Sequence, residues 1–203
     1  MRLHTVNETI AVVPGPLLLR KRIAAFIQLT KPRIVLLFVL TGVAAMVLQG
    51  SLLQDPMKFW MITLSIALCA GSANAFNQYL DRDIDSVMDR TAKKRPLPQK
   101  RITPNEALIF AVVTGTISTV MLYYFGTPMA SFWGFFTIFF YVVVYTMWLK
   151  RSTPYNIVIG GAAGATAPLI GWAAATGSNS LVAWSMFAVI FMWTPPHFWA
   201  LAL

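Results

Sequence analysis

The chain has 203 residues, of which 57% are hydrophobic and only 11% are charged, and its formal net charge is +9. Ordinary soluble domains have about 25% charged residues, so this composition excludes them. The positive charge does not indicate nucleic-acid binding, because loops on one side of a membrane explain it better. Several apolar runs approach the roughly 20 residues that span a bilayer. The composition therefore predicts an all-α, polytopic transmembrane helical bundle.

The first 33 residues are predicted to lie outside the bilayer. Residues 1–16 contain only a short apolar run, which two prolines interrupt, so they indicate a flexible tail rather than a signal peptide. Residues 17–33 alternate apolar positions with basic ones. This pattern is typical of a basic interfacial helix that lies on the membrane surface.

Residues 34–203 are predicted to form a single membrane domain with six spans. The spans cover about residues 34–48, 59–80, 107–125, 132–149, 157–175 and 181 to the end. A cytoplasmic loop, residues 81–104, joins the second and third spans. Span five is rich in glycine and alanine, which favours close helix packing, although room for a long ligand is the alternative.

The distribution of basic residues predicts the topology. All sixteen Lys and Arg residues except Lys58 lie before span one or in the loops after spans two and four. By the positive-inside rule, the N-terminus and these loops are cytoplasmic, which predicts a multi-pass protein of the bacterial inner membrane. The last span has no terminal cap or basic anchor, so we expect a fragment of a longer chain.

An acidic stripe follows span two. Four of the seven acidic residues lie within nine positions: Asp81, Asp83, Asp85 and Asp89. If the helix continues, Asn77, Asp81, Asp85 and Asp89 recur every four residues along one face, about 6 Å apart, and Asp83 faces the opposite way. Carboxylates at this spacing repel each other and need cations, of which Mg²⁺ is the obvious candidate.

A carboxylate stripe beside a basic loop suits a diphosphate on an apolar tail. Asp81 and Asp85 would hold Mg²⁺, with Asn77 as a neutral ligand, and nearby cations would neutralise the remaining phosphate charge. These cations are predicted to be Arg90, Lys93 and Arg95. A solvated helix end beside a loop that anchors lipid headgroups is the alternative interpretation. For Lys150 and Arg151, anchoring and phosphate binding are equally compatible with the sequence.

The sequence resembles the UbiA superfamily of intramembrane prenyltransferases, and within it the branch that farnesylates haem. The matching stretches are Asn77-x-x-x-Asp81-x-x-x-Asp85, Arg95-Pro96-Leu97-Pro98, Leu29-Thr30-Lys31-Pro32-Arg33, Tyr145-Thr146-x-x-Leu149-Lys150-Arg151 and Trp193-Thr194-Pro195-Pro196-His197-Phe198-Trp199. The resemblance implies a bundle of about nine helices, of which six are present here. It also implies an active site near the cytoplasmic face.

The resemblance further implies transfer of a farnesyl group from farnesyl diphosphate to the 2-vinyl group of haem b. Water adds, haem O and diphosphate are released, and the product passes to haem A synthase or a terminal oxidase. The implied catalytic and Mg²⁺-binding residues are Asn77, Asp81 and Asp85. The implied diphosphate-binding residues are Arg33, Arg90, Lys93, Arg95, Lys150 and Arg151. His197 is either a haem contact or a structural histidine.

Two departures from the family pattern matter. Gln78 stands where many relatives that prenylate aromatic rings carry Asp, which removes one possible carboxylate. A second Asp-rich motif is expected beyond Leu203, so the 203-residue chain alone is predicted to be inactive. Two other functions remain as alternatives: a polyprenyltransferase acting on an aromatic quinone precursor, and an ion or proton transporter. The transporter fits poorly, because spans one and three to six have no acidic residue in their interiors.

Overall fold

The computed structural model describes residues 15–200, and every regular element in that range is helical. The α-helices are α1 (Gly15–Thr30), α2 (Pro32–Gln49), α3 (Pro56–Leu80), α4 (Arg82–Val87), α5 (Asp89–Ala92), α6 (Pro104–Met121), α7 (Pro128–Phe139), α8 (Lys150–Ser152), α9 (Asn156–Ala165), α10 (Ala167–Thr176) and α11 (Leu181–Ala200). A 3₁₀ turn covers Ser51–Gln54, and π-helical segments cover Leu122–Gly126 and Phe140–Leu149.

Six helical stretches are long and apolar enough to cross a membrane. They are Pro32–Gln49, Pro56–Leu80, Pro104–Gly126, Pro128–Ser152, Asn156–Thr176 and Leu181–Ala200. Each begins within about four residues of its predicted start, so the six predicted spans are confirmed. Large apolar side chains such as Leu37, Trp60 and Val189 are exposed on the outside of the bundle. Lipid tails favour such a surface, and the protein is a multi-pass membrane protein.

Proline and short polar side chains set where several spans begin. α2, α3, α6 and α7 each have proline in the first turn, where the missing N–H costs nothing. Asp55 caps α3 by accepting a hydrogen bond from the Lys58 N–H. Thr103 and Glu106 form a reciprocal capping box at the start of α6. At α3 and α6, therefore, proline occupies the first turn and the preceding side chain accepts a hydrogen bond from one of the free N–H groups.

α3 is the central helix of the bundle and packs against α1, α2, α6 and α7. Small residues allow these close approaches. At Gly71, an added Cβ would lie 3.2 Å from Thr30 Cγ2, and at Gly115 it would lie 2.6 Å from Ser72 Oγ. Gly171 of α10 lies directly against the backbone of Gly42 of α2. Gly71 of span two and Gly171 of span five thus serve close packing, the interpretation that the sequence favoured for span five.

The end of α3 and the start of α1 differ from their predicted positions. The helix of α3 does not continue to Asp89, because the chain bends at Asp81 and adopts extended backbone at Met88. Asp89 therefore leaves the acidic face, and its side chain is 98% exposed. The flexible tail predicted for residues 1–16 lies outside the described residues, except that α1 already begins at Gly15.

Candidate active site

The C-terminal end of α3 carries a buried polar face. Asn77, Asp81 and Asp85 are each at most 3% exposed. The Asp81 N–H donates to the Asn77 carbonyl at 2.9 Å, and the Asp85 N–H donates to the Asp81 carbonyl at 2.8 Å. These helical hydrogen bonds carry the four-residue spacing from α3 across the bend into α4. Three of the four predicted members of the stripe, Asn77, Asp81 and Asp85, therefore lie on one buried face.

Three cations surround this polar face. The Lys150 ammonium donates to Asp81 Oδ2 at 2.5 Å, and Arg95 donates to Asp85 Oδ2. The Lys31 ammonium donates to Asn77 Oδ1 at 2.8 Å. Because three positive charges face two carboxylates, the cluster carries a net positive charge and favours an anionic ligand.

The π-helical segment Phe140–Leu149 shapes the wall opposite α3. The Thr146 hydroxyl donates to the Tyr141 carbonyl five residues earlier, and it accepts a 3.3 Å hydrogen bond from Asn77 Nδ2. Tyr141 and Tyr145 stack with ring centroids 5.1 Å apart. π-helical turns are rare and are frequently found at functional sites. Here the wider turn places Thr146 and Lys150 on the same side, facing Asn77 and Asp81.

An apolar pocket lies beside the polar cluster, deeper in the bundle. Its lining residues are Ile34, Phe38, Ala70, Ala73, Asn74, Thr137, Tyr141, Ala163 and Gly164. Asn74 is one helical turn before Asn77, so the pocket adjoins the charged face. A Cβ added at Gly164 would have no heavy atom within 4 Å. The site thus combines a charged head region with an apolar recess.

The donor atoms suit Mg²⁺ bound together with phosphate. Three buried side-chain atoms have no hydrogen-bond partner among the described residues: Gln78 Oε1, Arg101 Nε and Asp81 Oδ1. Of these, only Asp81 Oδ1 belongs to a carboxylate, whose burial without a cation or hydrogen bond is costly. No three His, Cys, Asp or Glu side chains within residues 15–200 form a ligand cluster by themselves. Mg²⁺ usually binds one or two carboxylates and completes its shell with water and phosphate, so this donor set fits it.

The other predicted cations lie at the periphery of the cluster. Arg151 pairs with Asp83 at 3.0 Å, and its hydrogen bond holds the pKa of Asp83 below the usual value. Lys93 lies 3.7 Å from Asp89, with both side chains largely exposed. Arg33 and Arg90 are exposed. Of the six predicted phosphate-binding residues, the structure brings only Arg95 and Lys150 directly to the acidic face.

His197 lies in α11 (Leu181–Ala200). Its ring stacks on Trp193 with centroids 4.2 Å apart and meets Phe198 edge-on. Pro195 and Pro196 are accommodated inside the helix. The histidine is thus partly buried between aromatic side chains of its own helix.

Lys31 and Thr146 belong to the site, although neither was predicted from the sequence as a site residue. Burial, followed by the nearby charge of Arg95, lowers the pKa of Lys31 to about 8. Its signal in the sequence is the Lys31-Pro32 pair between two helices, where proline fixes the start of α2. Thr146 gave no separate signal, because a threonine in an apolar span more often bonds its own helix.

Comparison with known proteins gives a consistent result. The profile of the UbiA prenyltransferase family matches residues 35–203. A protoheme IX farnesyltransferase of Symbiobacterium thermophilum is 53% identical over 88% of this chain and 59% of its own length. Those of Gloeobacter violaceus and Sinorhizobium fredii are 50% and 47% identical, over 88% and 100% of this chain and 58% and 63% of their own lengths. The chain thus spans about three fifths of the length of these relatives. No solved structure matches the chain.

Proposed function

The chain belongs to the UbiA prenyltransferase family, and we propose that it acts as a protohaem IX farnesyltransferase or as part of one. In this reaction the C–O bond of farnesyl diphosphate breaks and a C–C bond forms to the 2-vinyl group of haem b. Water then adds to the resulting cationic carbon and loses a proton. The products are haem O and diphosphate.

The observation that carries the proposal is the buried acidic face ringed by cations. Asp81 and Asp85 are buried and paired with Lys150 and Arg95, and Asp81 Oδ1 has no partner in the part of the chain that the structure describes. In a protein without bound ligand, such a face contributes little to stability, because each buried ion loses its hydration. A metal diphosphate would give the carboxylates a cation and the basic residues an anion at the same time.

We assign the residues near the diphosphate the following roles. Asn77, Asp81 and Asp85 would hold Mg²⁺, which when bound neutralises the diphosphate and makes it a better leaving group. Arg95 and Lys150 would exchange their carboxylate partners for phosphate oxygens as negative charge grows on the leaving group. Such preorganised charge, held in a site that excludes water, is worth more than the same charge in solution.

The apolar pocket suits the farnesyl tail. It begins one turn from Asn77, and its walls are mostly Ala, Ile, Phe and Tyr side chains. An allylic cation generated beside the carboxylates would there be kept from water, which would otherwise capture it. Gly164 supports this assignment, because no close contact requires a glycine at that position.

The exposed cations have a different proposed role. Arg33, Arg90, Lys93 and Arg151 would draw the anionic substrate towards the site rather than bind it in its final position. His197, in its cluster with Trp193, would contact the haem. The product haem O would pass to haem A synthase or a terminal oxidase.

We also propose a place and orientation for the protein. In the sequence, all Lys and Arg residues but Lys58 lie before span one or in the loops after spans two and four, and these segments supply the cations around α3 and α4. The positive-inside rule then gives a bacterial inner-membrane protein with its N-terminus and substrate site at the cytoplasmic face. Farnesyl diphosphate, whose diphosphate head is charged and well hydrated, would reach the site from that side.

Haem product analysis tests the proposed function. The full-length gene that encodes this chain and its Asp81→Asn and Asp85→Asn variants would be expressed in a bacterial strain that lacks haem O, and extracted haems would be separated by chromatography. Asp89→Asn is the matched control, because Asp89 lies in the same segment but is 98% exposed. We expect haem O from the wild-type and Asp89→Asn proteins, and at least a hundredfold less from the other two.

Two outcomes would contradict the proposal. Wild-type amounts of haem O from both Asp81→Asn and Asp85→Asn would remove the acidic face from the chemistry. Absence of haem O from a well-expressed wild-type protein would instead favour an aromatic quinone precursor as the acceptor. That alternative would then be assayed with the same prenyl donor and an aromatic acid.

A further inference from the structure

Lys31 occupies the break between α1 and α2 in an unusual conformation. Its φ and ψ angles are 54° and 70°, in the left-handed region that residues with a Cβ rarely adopt. α1 ends at Thr30 and α2 begins at Pro32, so Lys31 is the only residue between the two helices. A conformation of this kind persists only when surrounding contacts hold it.

Two side-chain amides of α3 supply those contacts. Gln78 Nε2 donates to the carbonyls of Gln28 and Leu29 at 3.1 and 3.0 Å. Asn74 Nδ2 donates to the Thr30 carbonyl at 3.0 Å. These three carbonyls lie in the last turn of α1, where carbonyls run out of helical partners. The Gln28 carbonyl also accepts from the Lys31 N–H at 3.2 Å. The two amides therefore fix the end of α1 one residue before Lys31.

The result of this arrangement is a cation aimed at the acidic face that pairs with no carboxylate within residues 15–200. Lys31 Nζ lies 2.8 Å from Asn77 Oδ1, which is a neutral acceptor. Arg95 and Lys150 are already paired with Asp85 and Asp81. A partly buried ammonium that bonds only an amide oxygen is poorly compensated. An anion bound at the cluster would supply the missing partner.

We propose that Lys31 is a diphosphate-binding residue and that Asn74 and Gln78 are positioning residues that hold it at the site. The inference rests on the proposed function, which it extends to residues outside the acidic motif. It also explains position 78. Both N–H groups of the Gln78 amide are used on the end of α1, so Gln78 anchors a helix break.

Lys31 is therefore expected to act on the bound phosphate oxygens, and Gln78 only through Lys31. The two roles differ in a measurable way. Residues that act through one contact show non-additive effects when both are changed. Loss of Lys31 should weaken binding directly, whereas loss of Gln78 should weaken it only while Lys31 is present.

Binding of inorganic diphosphate with Mg²⁺ to the purified protein in detergent, followed by calorimetry, tests the inference. Lys31→Met and Lys31→Gln both remove the charge, and Lys31→Gln keeps a donor for Asn77 in case the first variant does not fold. We expect either to weaken binding by about tenfold to a hundredfold, as for a lost charge-assisted hydrogen bond. Lys31→Arg should recover most of the affinity.

The positioning role is tested with Gln78→Leu, alone and combined with Lys31→Gln. The single change should weaken binding severalfold, and the double variant should bind no more weakly than Lys31→Gln. Asn179→Leu is the matched control, because its amide donates to the Leu169 carbonyl in the same way, but in the turn between α10 and α11. It should leave diphosphate affinity unchanged.

The possible results separate the inference from the proposed function. Unchanged affinity in both charge-removing Lys31 variants, with tight wild-type binding, overturns the inference alone. If the losses of diphosphate affinity from Gln78→Leu and Lys31→Gln multiply in the double variant, the positioning role is overturned. No diphosphate binding by the wild-type protein overturns the inference and the proposed function together. A Lys31-dependent affinity in a protein that makes no haem O supports the inference and overturns the proposed reaction.

Discussion

The Lys150 ammonium lies 2.5 Å from Asp81 Oδ2, although the two residues are 69 positions apart in the sequence. The Asp81 side chain is fully buried, and that of Lys150 is 29% exposed. This pair ties the end of span four to the end of span two. It also places a positive charge directly beside Asp81, one of the proposed metal ligands.

Replacing Lys150 should destabilise the metal-free protein. Lys150→Met leaves the buried Asp81 carboxylate without its cation, which costs about 3 kcal/mol in comparable buried pairs. Arg151→Met is the control, because Arg151 pairs with Asp83, whose side chain is 59% exposed, and exposed pairs contribute little. Thermal unfolding in detergent without Mg²⁺ measures both. Equal shifts in the two variants would contradict the importance assigned to the buried pair.

Mg²⁺ should stabilise the protein through Asp81. A ligand that binds only the folded state raises stability with its concentration, and the free Asp81 Oδ1 atom offers a position for the cation. We expect the unfolding temperature to rise on addition of Mg²⁺ with inorganic diphosphate, and to fall back when a chelator is added. Asp81→Asn should abolish the rise, whereas Asp89→Asn should retain it. A rise of the same size in Asp81→Asn would place the cation elsewhere.

Two glycines of span five should respond oppositely to alanine. A Cβ at Gly160 would overlap the ring of Tyr145, whereas a Cβ at Gly164 would meet no atom within 4 Å. Gly160→Ala should therefore lose about 1–3 kcal/mol through overpacking. Gly164→Ala should be neutral or gain up to about 1 kcal/mol from helix propensity. Thermal unfolding distinguishes them.

A second change confirms the cause of the Gly160 effect. Tyr145→Ala should relieve the overlap, so the double variant should be more stable than the sum of the two single changes predicts. If Gly164 instead proved as sensitive as Gly160, the pocket beside it would be part of the packed core. Gly164→Leu would then have no specific effect on binding of the prenyl donor, whereas we expect it to obstruct the tail.

The sequence predicted the spans well because long apolar runs between proline and glycine are an unambiguous pattern. It also located Asn77, Asp81 and Asp85, since a four-residue spacing survives the bend at Asp81. Asp89 was lost from the stripe because extended backbone at Met88 ends the helical register. A local backbone change of this kind has no clear sequence signal.

Other parts of the site depended on tertiary packing that the sequence does not reveal. Lys31 and Arg33 are two residues apart in one motif, yet only Lys31 reaches Asn77. The left-handed backbone at Lys31, held by Asn74 and Gln78, decides between them. The polar amides in span two were a usable signal, because such groups in a membrane span are costly and need partners.

The stability of the ligand-free protein should depend on pH through Lys31. Burial and the charge of Arg95 lower the pKa of Lys31 from 10.5 to about 8. Between these two values the unfolded chain keeps a proton that the folded chain has released. Stability therefore increases with pH in this window, and below about pH 8 this group contributes no pH dependence.

The difference in unfolding temperature between wild type and Lys31→Met measures this effect from pH 7 to 10, without Mg²⁺ or diphosphate. We expect wild type to gain stability relative to Lys31→Met above about pH 8. Arg33→Met serves as the control, because arginine keeps its charge throughout this range and should give a constant difference. A constant difference for Lys31→Met as well would mean that Lys31 keeps its proton in the folded protein. Its ammonium would then be as well stabilised at the site as in water, even without a bound anion.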